Sequence, residues 1–354
     1  MEKKEKISII VPIYNVADCI EKNVEHLVHQ TWPGTEIILI NDGSRDDSLA
    51  VCRKMQQKYP QIIVIDQENQ GVSVARNSGL AAATGEWVCF VDGDDWLEND
   101  ALEKMAAYCR PGTDIILTDY YVATKSTRWE EAFLRSPERF FSSREDKIEL
   151  IRNCFVHTPL SNHNTITMIG VPWAKLFRTS FLKKHNILFH PSLRKMQDAI
   201  FNAYAFINAE NIHYVKIKTY DYWQNEQSVT HKGNPAYRKI TSLLLRAFRK
   251  FIKTYHLEKE LVPVYNTKRF MFAFECVKFI YLLDEGGMTL QQKLRGTAGL
   301  MSRMHFSRSQ KRKIFSYLGK AYRIAFILYE LHMYRMIYFM ADLYLKMKNH
   351  KYYK

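Results

Sequence analysis

Four short apolar runs recur in the first hundred residues, and helical periodicity fills the gaps between them. The runs are Ile7-Ser8-Ile9-Ile10-Val11, Glu36-Ile37-Ile38-Leu39-Ile40, Ile62-Ile63-Val64-Ile65 and Val88-Cys89-Phe90-Val91. Each is short and rich in branched or aromatic side chains, so each reads as a buried strand. Residues 17–29 place Ile20, Val24, Leu27 and Val28 on one helical face. A second helix, capped by Asp46 or Asp47, runs to residue 59, and residues 74–83 read as a third. Strands alternating with helices predict an α/β chain with a mostly parallel central sheet covered by helices. A further helix is expected at 102–108 and a strand at 114–118.

The pattern then weakens, and residues 120–164 give no firm assignment. Helices are expected at 181–185 and 196–208, the latter with Asp198 in its first turn, and strands at 214–217 and 220–223. Gly233-Asn234-Pro235 is a strong breaker, which sets the expected domain boundary: 1–232, then a helical region 233–354. That second region should hold helices at 239–255, 266–284, 290–300, 308–318 and 320–348. Charge divides at the same place. The chain carries a net +14, with 24 Lys and Arg against 7 Asp and Glu in 233–354, hence +17 there and −3 in 1–232. A basic half suits nucleic acid or an anionic membrane surface.

Other classes drop out. The six cysteines are scattered with no Cys-x-x-Cys pair, which excludes a zinc ribbon or a thioredoxin motif. Reduced thiols in a cytosolic setting follow. The charged start, running straight into a strand, does not resemble a cleavable signal. Residues 322–347 are apolar but include Arg323, Glu330, His332, Arg335 and Asp342. Charges are costly at a bilayer centre, so an amphipathic helix lying in the interface, near Arg308, Lys311, Arg312 and Lys313, is expected rather than a spanning one. A bundle with a solvated basic face is the alternative.

The chemistry concentrates where the fourth strand stops on Asp92-Gly93-Asp94-Asp95. In open α/β sheets, ligands bind at the carboxyl ends of strands. Two carboxylates one residue apart can share a hard cation, which usually also takes substrate phosphate oxygens. Asp42 ends the second strand. As an ionised carboxylate it only accepts hydrogen bonds, so it suits a ring N–H or, alternatively, a local turn. Pro12 to Asn15 follows the first strand, where a nucleotide base could lie. Gly71 allows close approach of backbone to a ligand.

Ile9-Ile10-Val11-Pro12-Ile13-Tyr14-Asn15, Ile40-Asn41-Asp42-Gly43-Ser44, Asn69-Gln70-Gly71 with Ala75-Arg76-Asn77, and Phe90-Val91-Asp92-Gly93-Asp94-Asp95 together resemble glycosyltransferase family 2. The likeness continues more loosely through Trp173-Ala174-Lys175-Leu176, Asp198-Ala199-Ile200-Phe201 and Ser228-Val229-Thr230-His231. It covers roughly residues 7 to 232. The resemblance implies a GT-A (Rossmann-like nucleotide-binding) domain and inverting transfer of a sugar from a nucleotide-sugar, UDP-linked in this reading, to an acceptor hydroxyl. The setting it implies is bacterial cell-surface polysaccharide synthesis on a lipid-linked or polysaccharide acceptor, at the inner face of the cell membrane.

Carried over residue by residue, Pro12, Tyr14, Asn15, Asp42, Gly71, Arg76, Asp92 and Gly93 line the nucleotide. Asp92 touches the ribose or the metal's water shell. Asp94 ligates Mn²⁺ or Mg²⁺, and His231 stands where some members supply a further ligand. Trp173, Lys175 and Asp95 face the sugar or acceptor, Trp173 alternatively belonging to the core and Asp95 alternatively orienting its neighbours or capping the next helix. Asp198 is the base. Family members commonly carry Glu-Asp-x-x-Phe there, whereas this chain has Gln197-Asp198-Ala199-Ile200-Phe201. A neutral amide cannot raise the pKa of Asp198 by like-charge repulsion. Two other readings stand beside this one. A non-catalytic membrane- or nucleic-acid-binding protein on the same scaffold conflicts with the intact aspartate set and with the lack of an RNA-binding aromatic motif. A nucleotidyltransferase would need a Gly-rich N-terminal loop that is missing.

Overall fold

A computed structural model describes residues 5–134, 136–156, 169–224, 233–284 and 286–352. They fall into two compact units. The first holds residues 5–154 and 169–224. The second runs from 233 onward and includes 155 and 156.

The first unit is built on one sheet. Its strands are β1 (Ile7–Ile13), β2 (Thr35–Asp42), β3 (Ile62–Gln67), β4 (Trp87–Phe90), β5 (Trp96–Leu97), β6 (Ile115–Ala123), β7 (Arg128–Glu131), β8 (Arg139–Phe141), β9 (Lys175–Arg178) and β10 (Ile212–Trp223). The order is β3-β2-β1-β4-β9-β6-β10-β5, with β7 beside β6 and β8 beside β10. The first four strands are parallel, joined by α1 (Ala17–Val28), α2 (Ser48–Lys58) and α3 (Val72–Ala82). β1 and β2 are apolar on both faces, as a strand covered on both sides must be, and Ile9, Ile10, Ile38 and Leu39 are fully buried. Beyond β4 the sheet is mixed: β9 runs antiparallel to β4 and β6, and β10 runs parallel to β6. The remaining helices are α4 (Ala101–Ala106), α5 (Arg144–Phe155), α6 (Thr179–Lys184) and α7 (Gln197–Asn208).

β10 differs from expectation. It is one strand, not two, with register irregularities between Tyr214 and Lys218 and between Lys218 and Tyr220. A bulge shifts which residues face the core, which breaks the alternation that marks a single strand.

The second unit is helical: α8 (Tyr237–Thr254), α9 (Glu258–Cys276) continued by a π-helical turn at Val277–Leu282, α10 (Leu290–Met301), α11 (Arg308–Tyr317), α12 (Lys320–Glu330) and α13 (Tyr334–Tyr352). Phe270, Phe274, Met301, Ile314, Phe326, Tyr329 and Ile337 share a core there. The expected helix 320–348 is two helices. His332 between them has φ +57°, a left-handed conformation that ends an α-helix, and its ring pairs with the Tyr334 hydroxyl at 2.6 Å.

Candidate active site

Because β2, β1 and β4 are adjacent and parallel, their carboxyl ends form one ledge. Pro12 to Asn15, Asp42 and the Asp92–Asp95 turn all lie on it. Gly93 lets that turn tuck beneath β1: a Cβ there would meet the Pro12 carbonyl at 3.1 Å and Val16 at 3.4 Å. Three groups from elsewhere fix the turn. The Tyr220 hydroxyl accepts from the Asp92 N–H at 3.1 Å and donates to Asp95 at 2.7 Å. The Trp223 N–H donates to the other Asp95 oxygen at 2.7 Å. The Asn23 amide donates to the Asp92 carbonyl at 3.2 Å and also to that of Asp95.

Asp95 is therefore a buried anchor for β10. It caps no helix, since α4 starts at Ala101 behind Asp100, and at 1% exposure it does not line an open pocket. Burial, then the charges of Asp92 and Asp94, push its pKa well above the carboxylate range. Asp94 reaches solvent but is crowded on its other sides. That desolvation, and next the charge of Asp92, raise its pKa. Among the described residues no three His, Cys, Asp or Glu side chains converge on one point. The donor set on offer is two carboxylates one residue apart, Asp92 and Asp94, with oxygen-only chemistry. This fits a hard divalent cation that shares its ligands with substrate phosphates rather than one caged by protein. His231 lies outside the described residues.

Arg76 is 4% exposed. One of its terminal nitrogens donates to Asp92 at 2.6 Å, and its guanidinium lies 5.1 Å from the Phe189 ring centre. Its other two nitrogens, Nε and Nη1, are buried without a hydrogen-bond partner among the described residues. Leaving buried N–H groups of a cation unpaired is costly, so the site wants an acceptor there.

Asp42 is buried, and its carboxylate accepts from the Gln67 side chain at 2.8 Å and from the N–H groups of Gln70 at 2.9 Å and Gly71 at 2.7 Å. A carboxylate has about four lone-pair sites, so one remains. Asn15 binds the neighbouring loop, accepting from the Arg45 N–H at 2.8 Å, while its own N–H donates to Ser44 at 3.1 Å. Tyr14 is 47% exposed at the rim.

Asp198 is the second residue of α7, one place after Gln197 and two after the helix's left-handed N-cap, Met196, whose φ is +51°. A left-handed methionine is strained, and the strain sits where the chain turns Asp198 into the cleft. The Ala199 N–H donates to its carboxylate at 2.8 Å. Burial raises its pKa, while the charge of Arg76 opposes that and Asp92 adds to it. Gln197 is thus no handicap to tuning: desolvation supplies what a neighbouring carboxylate would.

Trp173 and Lys175 are not free to line a pocket. Trp173 is 2% exposed and stacks on Tyr220 with ring centres 4.6 Å apart. Lys175 is fully buried, donating to the carbonyls of Val171 at 2.6 Å and Trp173 at 3.3 Å. Burial pushes its ammonium down to about 7, with Cys154 and Asp198 acting the other way. Sequence reasoning missed Tyr220, Asn23 and Phe189, because each acts through a pairing between distant parts of the chain.

The family model described as glycosyl transferase family 2 matches residues 8–186. The uncharacterized glycosyltransferase YibD of Escherichia coli (strain K12) is 31% identical over 264 residues, 71% of this chain and 73% of that protein. The uncharacterized glycosyltransferase EpsJ of Bacillus subtilis (strain 168) is 31% identical over 63% of this chain, which spans 62% of the EpsJ length. Among solved structures, S. aureus TarS 1-349 in complex with UDP-GlcNAc superposes with a TM-score of 0.62 at 18% identity, covering 96% of this chain and 92% of that one. That likeness shows the fold: a GT-A-type domain with a mixed central sheet, followed by helices. On the family match and the YibD likeness together, the chain belongs to glycosyl transferase family 2.

Proposed function

We propose that the chain is a metal-dependent, inverting glycosyltransferase that moves a sugar from a UDP-sugar to an acceptor hydroxyl in cell-surface polysaccharide synthesis. The observation that carries this reading is the buried Arg76 guanidinium. It is bonded to Asp92, has two nitrogens without a partner among the described residues, and lies with Asp92 between Asp94 and Asp198. A purely structural arginine would have its donors filled.

In this reading, Pro12, Tyr14, Asn15, Asp42, Gly71 and Gly93 shape the nucleotide end. Asp92 and Arg76 hold the ribose and diphosphate, with the unpaired nitrogens of Arg76 donating to phosphate oxygens. Asp94, with Asp92, would hold Mn²⁺ or Mg²⁺. When bound, that ion offsets the charge that develops on the leaving nucleoside diphosphate. Asp198 takes the proton of the acceptor hydroxyl as its oxygen attacks the anomeric carbon from the face opposite the departing phosphate. A raised pKa makes it a stronger base. The UDP-GlcNAc bound to TarS supports a uridine donor.

We further propose residues 1–232 as the catalytic domain and 233–354 as a basic region that lies on an anionic membrane surface, at the inner face of the cell membrane. No helix among the described residues is long and apolar enough to cross a membrane.

The test is a screen of nucleotide-sugars for hydrolysis with and without Mn²⁺ or Mg²⁺, which needs no known acceptor. Release of nucleoside diphosphate from one donor, only with metal, is expected. No release from any donor, together with no nucleotide binding, would sink the reading.

A further inference from the structure

Gly71 precedes α3 with φ +92°. Where its Cβ would stand lies the guanidinium of Arg194, with Nη1 at 1.9 Å and Cζ at 3.0 Å from that point. Arg194 is exposed and makes no hydrogen bond or ion pair among the described residues. Its segment, in contrast, is strapped to α3. The Asn77 side chain donates to the Phe189 carbonyl at 2.8 Å and accepts from the Phe189 N–H at 2.9 Å. Ser73 donates to the Leu193 carbonyl at 3.5 Å. A fixed backbone thus delivers a free cation onto a glycine whose missing side chain is the space it fills.

The same glycine binds Asp42 through its N–H, so Arg194 and Asp42 meet at one residue. No ion pair joins them among the described residues, and the three N–H donors on Asp42 leave its carboxylate one open lone-pair site. The position along the ledge identifies the ligand part that Arg194 would meet. Asp42 ends β2 and Asp92 follows β4, with β1 between them. Strands lie about 4.8 Å apart, so the two ends are about 10 Å apart. A diphosphate held at Asp92 and Asp94 leaves the base, not the phosphates, at Asp42 and Gly71.

We propose that Arg194 is a specificity-determining residue that donates to the 4-carbonyl oxygen of the donor's uracil ring while Asp42 accepts the ring N–H. The proposal rests on the nucleotide-sugar reading above. Uracil presents an N–H between two carbonyls. One carboxylate lone pair and one guanidinium match two adjacent positions of that edge. Cytosine offers a bare ring nitrogen and an amino group instead, so it would set acceptor against acceptor and donor against donor.

The test is titration of the full chain with UDP and with CDP, by displacement where binding is weak, for wild type, Arg194→Ala and Arg194→Lys. A hydrogen bond to a charged group supports a loss of about tenfold or more in UDP affinity for the Ala variant. CDP should change little, so the UDP over CDP preference shrinks, and Lys should restore part of it. Equal losses for UDP and CDP would make Arg194 a phosphate contact and overturn the proposal, as would unchanged UDP affinity. Wild-type protein that binds neither nucleotide with metal present would overturn the donor-site reading itself. Arg194 is exposed and unbonded, so the variants should melt like wild type.

Discussion

Asp198 must be ionised when the acceptor hydroxyl arrives, yet its surroundings favour the proton. Burial raises its pKa, and Arg76 only partly offsets this. The sign follows directly: as pH falls through that raised value the base is lost, so kcat/KM should drop with an acid limb above the ~3.9 of an unperturbed aspartate. Asp198→Asn keeps the shape, should leave nucleotide binding nearly intact, and should cut transfer by ~10²-fold or more. It should also abolish the limb. Calorimetry beside a transfer assay decides, since a large loss of nucleotide affinity would place Asp198 in the donor site instead. Asp94 gives the complementary prediction. It is the exposed carboxylate beside Asp92, without a protein cation attached to it in any described ion pair. Asp94→Ala should abolish donor turnover and remove the gain in nucleotide affinity that Mn²⁺ or Mg²⁺ provides, read by titration with and without metal. Near-normal metal-dependent turnover would exclude it as the ligand.

At the scale of elements, the parallel half of the sheet was legible because each strand is a continuous apolar run and each helix shows a 3.6-residue stripe. The other half was not. β7 is mostly exposed, so it lacks apolar alternation, and β10 hides its continuity behind irregular register. The aspartates at strand ends could be read from local motifs. The Tyr220 hydroxyl, which grips both Asp92 and Asp95, could not, because it arrives from 128 residues away.

The mixed half also holds a charge that costs stability. Asp119 on β6 is 1% exposed. It accepts from the Tyr214 hydroxyl at 2.9 Å and the Phe133 N–H at 3.0 Å. Burial raises its pKa to about 6, against the pull of those bonds. A carboxylate whose pKa is higher folded than unfolded makes the fold more stable when protonated, so stability should fall as pH rises from about 4 to about 6. The cost at neutral pH is on the order of 3 kcal/mol. Asp119→Asn, whose carbonyl oxygen can accept both bonds, should flatten that slope and match or exceed wild type at pH 7 in urea unfolding. A loss of stability at pH 7 would show that the ionised form is the favoured one.

At the scale of the whole chain, charge is divided: residues 1–232 carry −3 and residues 233–354 carry +17. The last two helices add an oddity. α12 buries Ala325, Phe326 and Tyr329 in the second unit's core, and α13 buries Ile337, Tyr338 and Ala341. Their other faces are apolar too: Ile324, Ile327, Leu331, Met336, Phe339 and Leu343 are all exposed, Leu331 to 61%. Contiguous exposed apolar surface marks an interaction site. Basic residues on the neighbouring α11, Arg312 and Lys313, make an anionic bilayer the fitting occupant. Each basic side chain near such a surface contributes about 1 kcal/mol, and the effect decays over roughly 8 Å at physiological salt. The full chain should therefore sediment with anionic vesicles more than with neutral ones, and salt should weaken this without abolishing it, because apolar burial persists. Arg312→Glu with Lys313→Glu should weaken binding at low salt by roughly tenfold or more. Lys311 is left intact, since it pairs with Glu330 at 3.0 Å. Leu331→Ser with Leu343→Ser should remove the salt-resistant part. If the wild-type chain ignores anionic vesicles at low salt, or both double variants bind as well as it does, the apolar face serves another partner and the membrane reading is wrong.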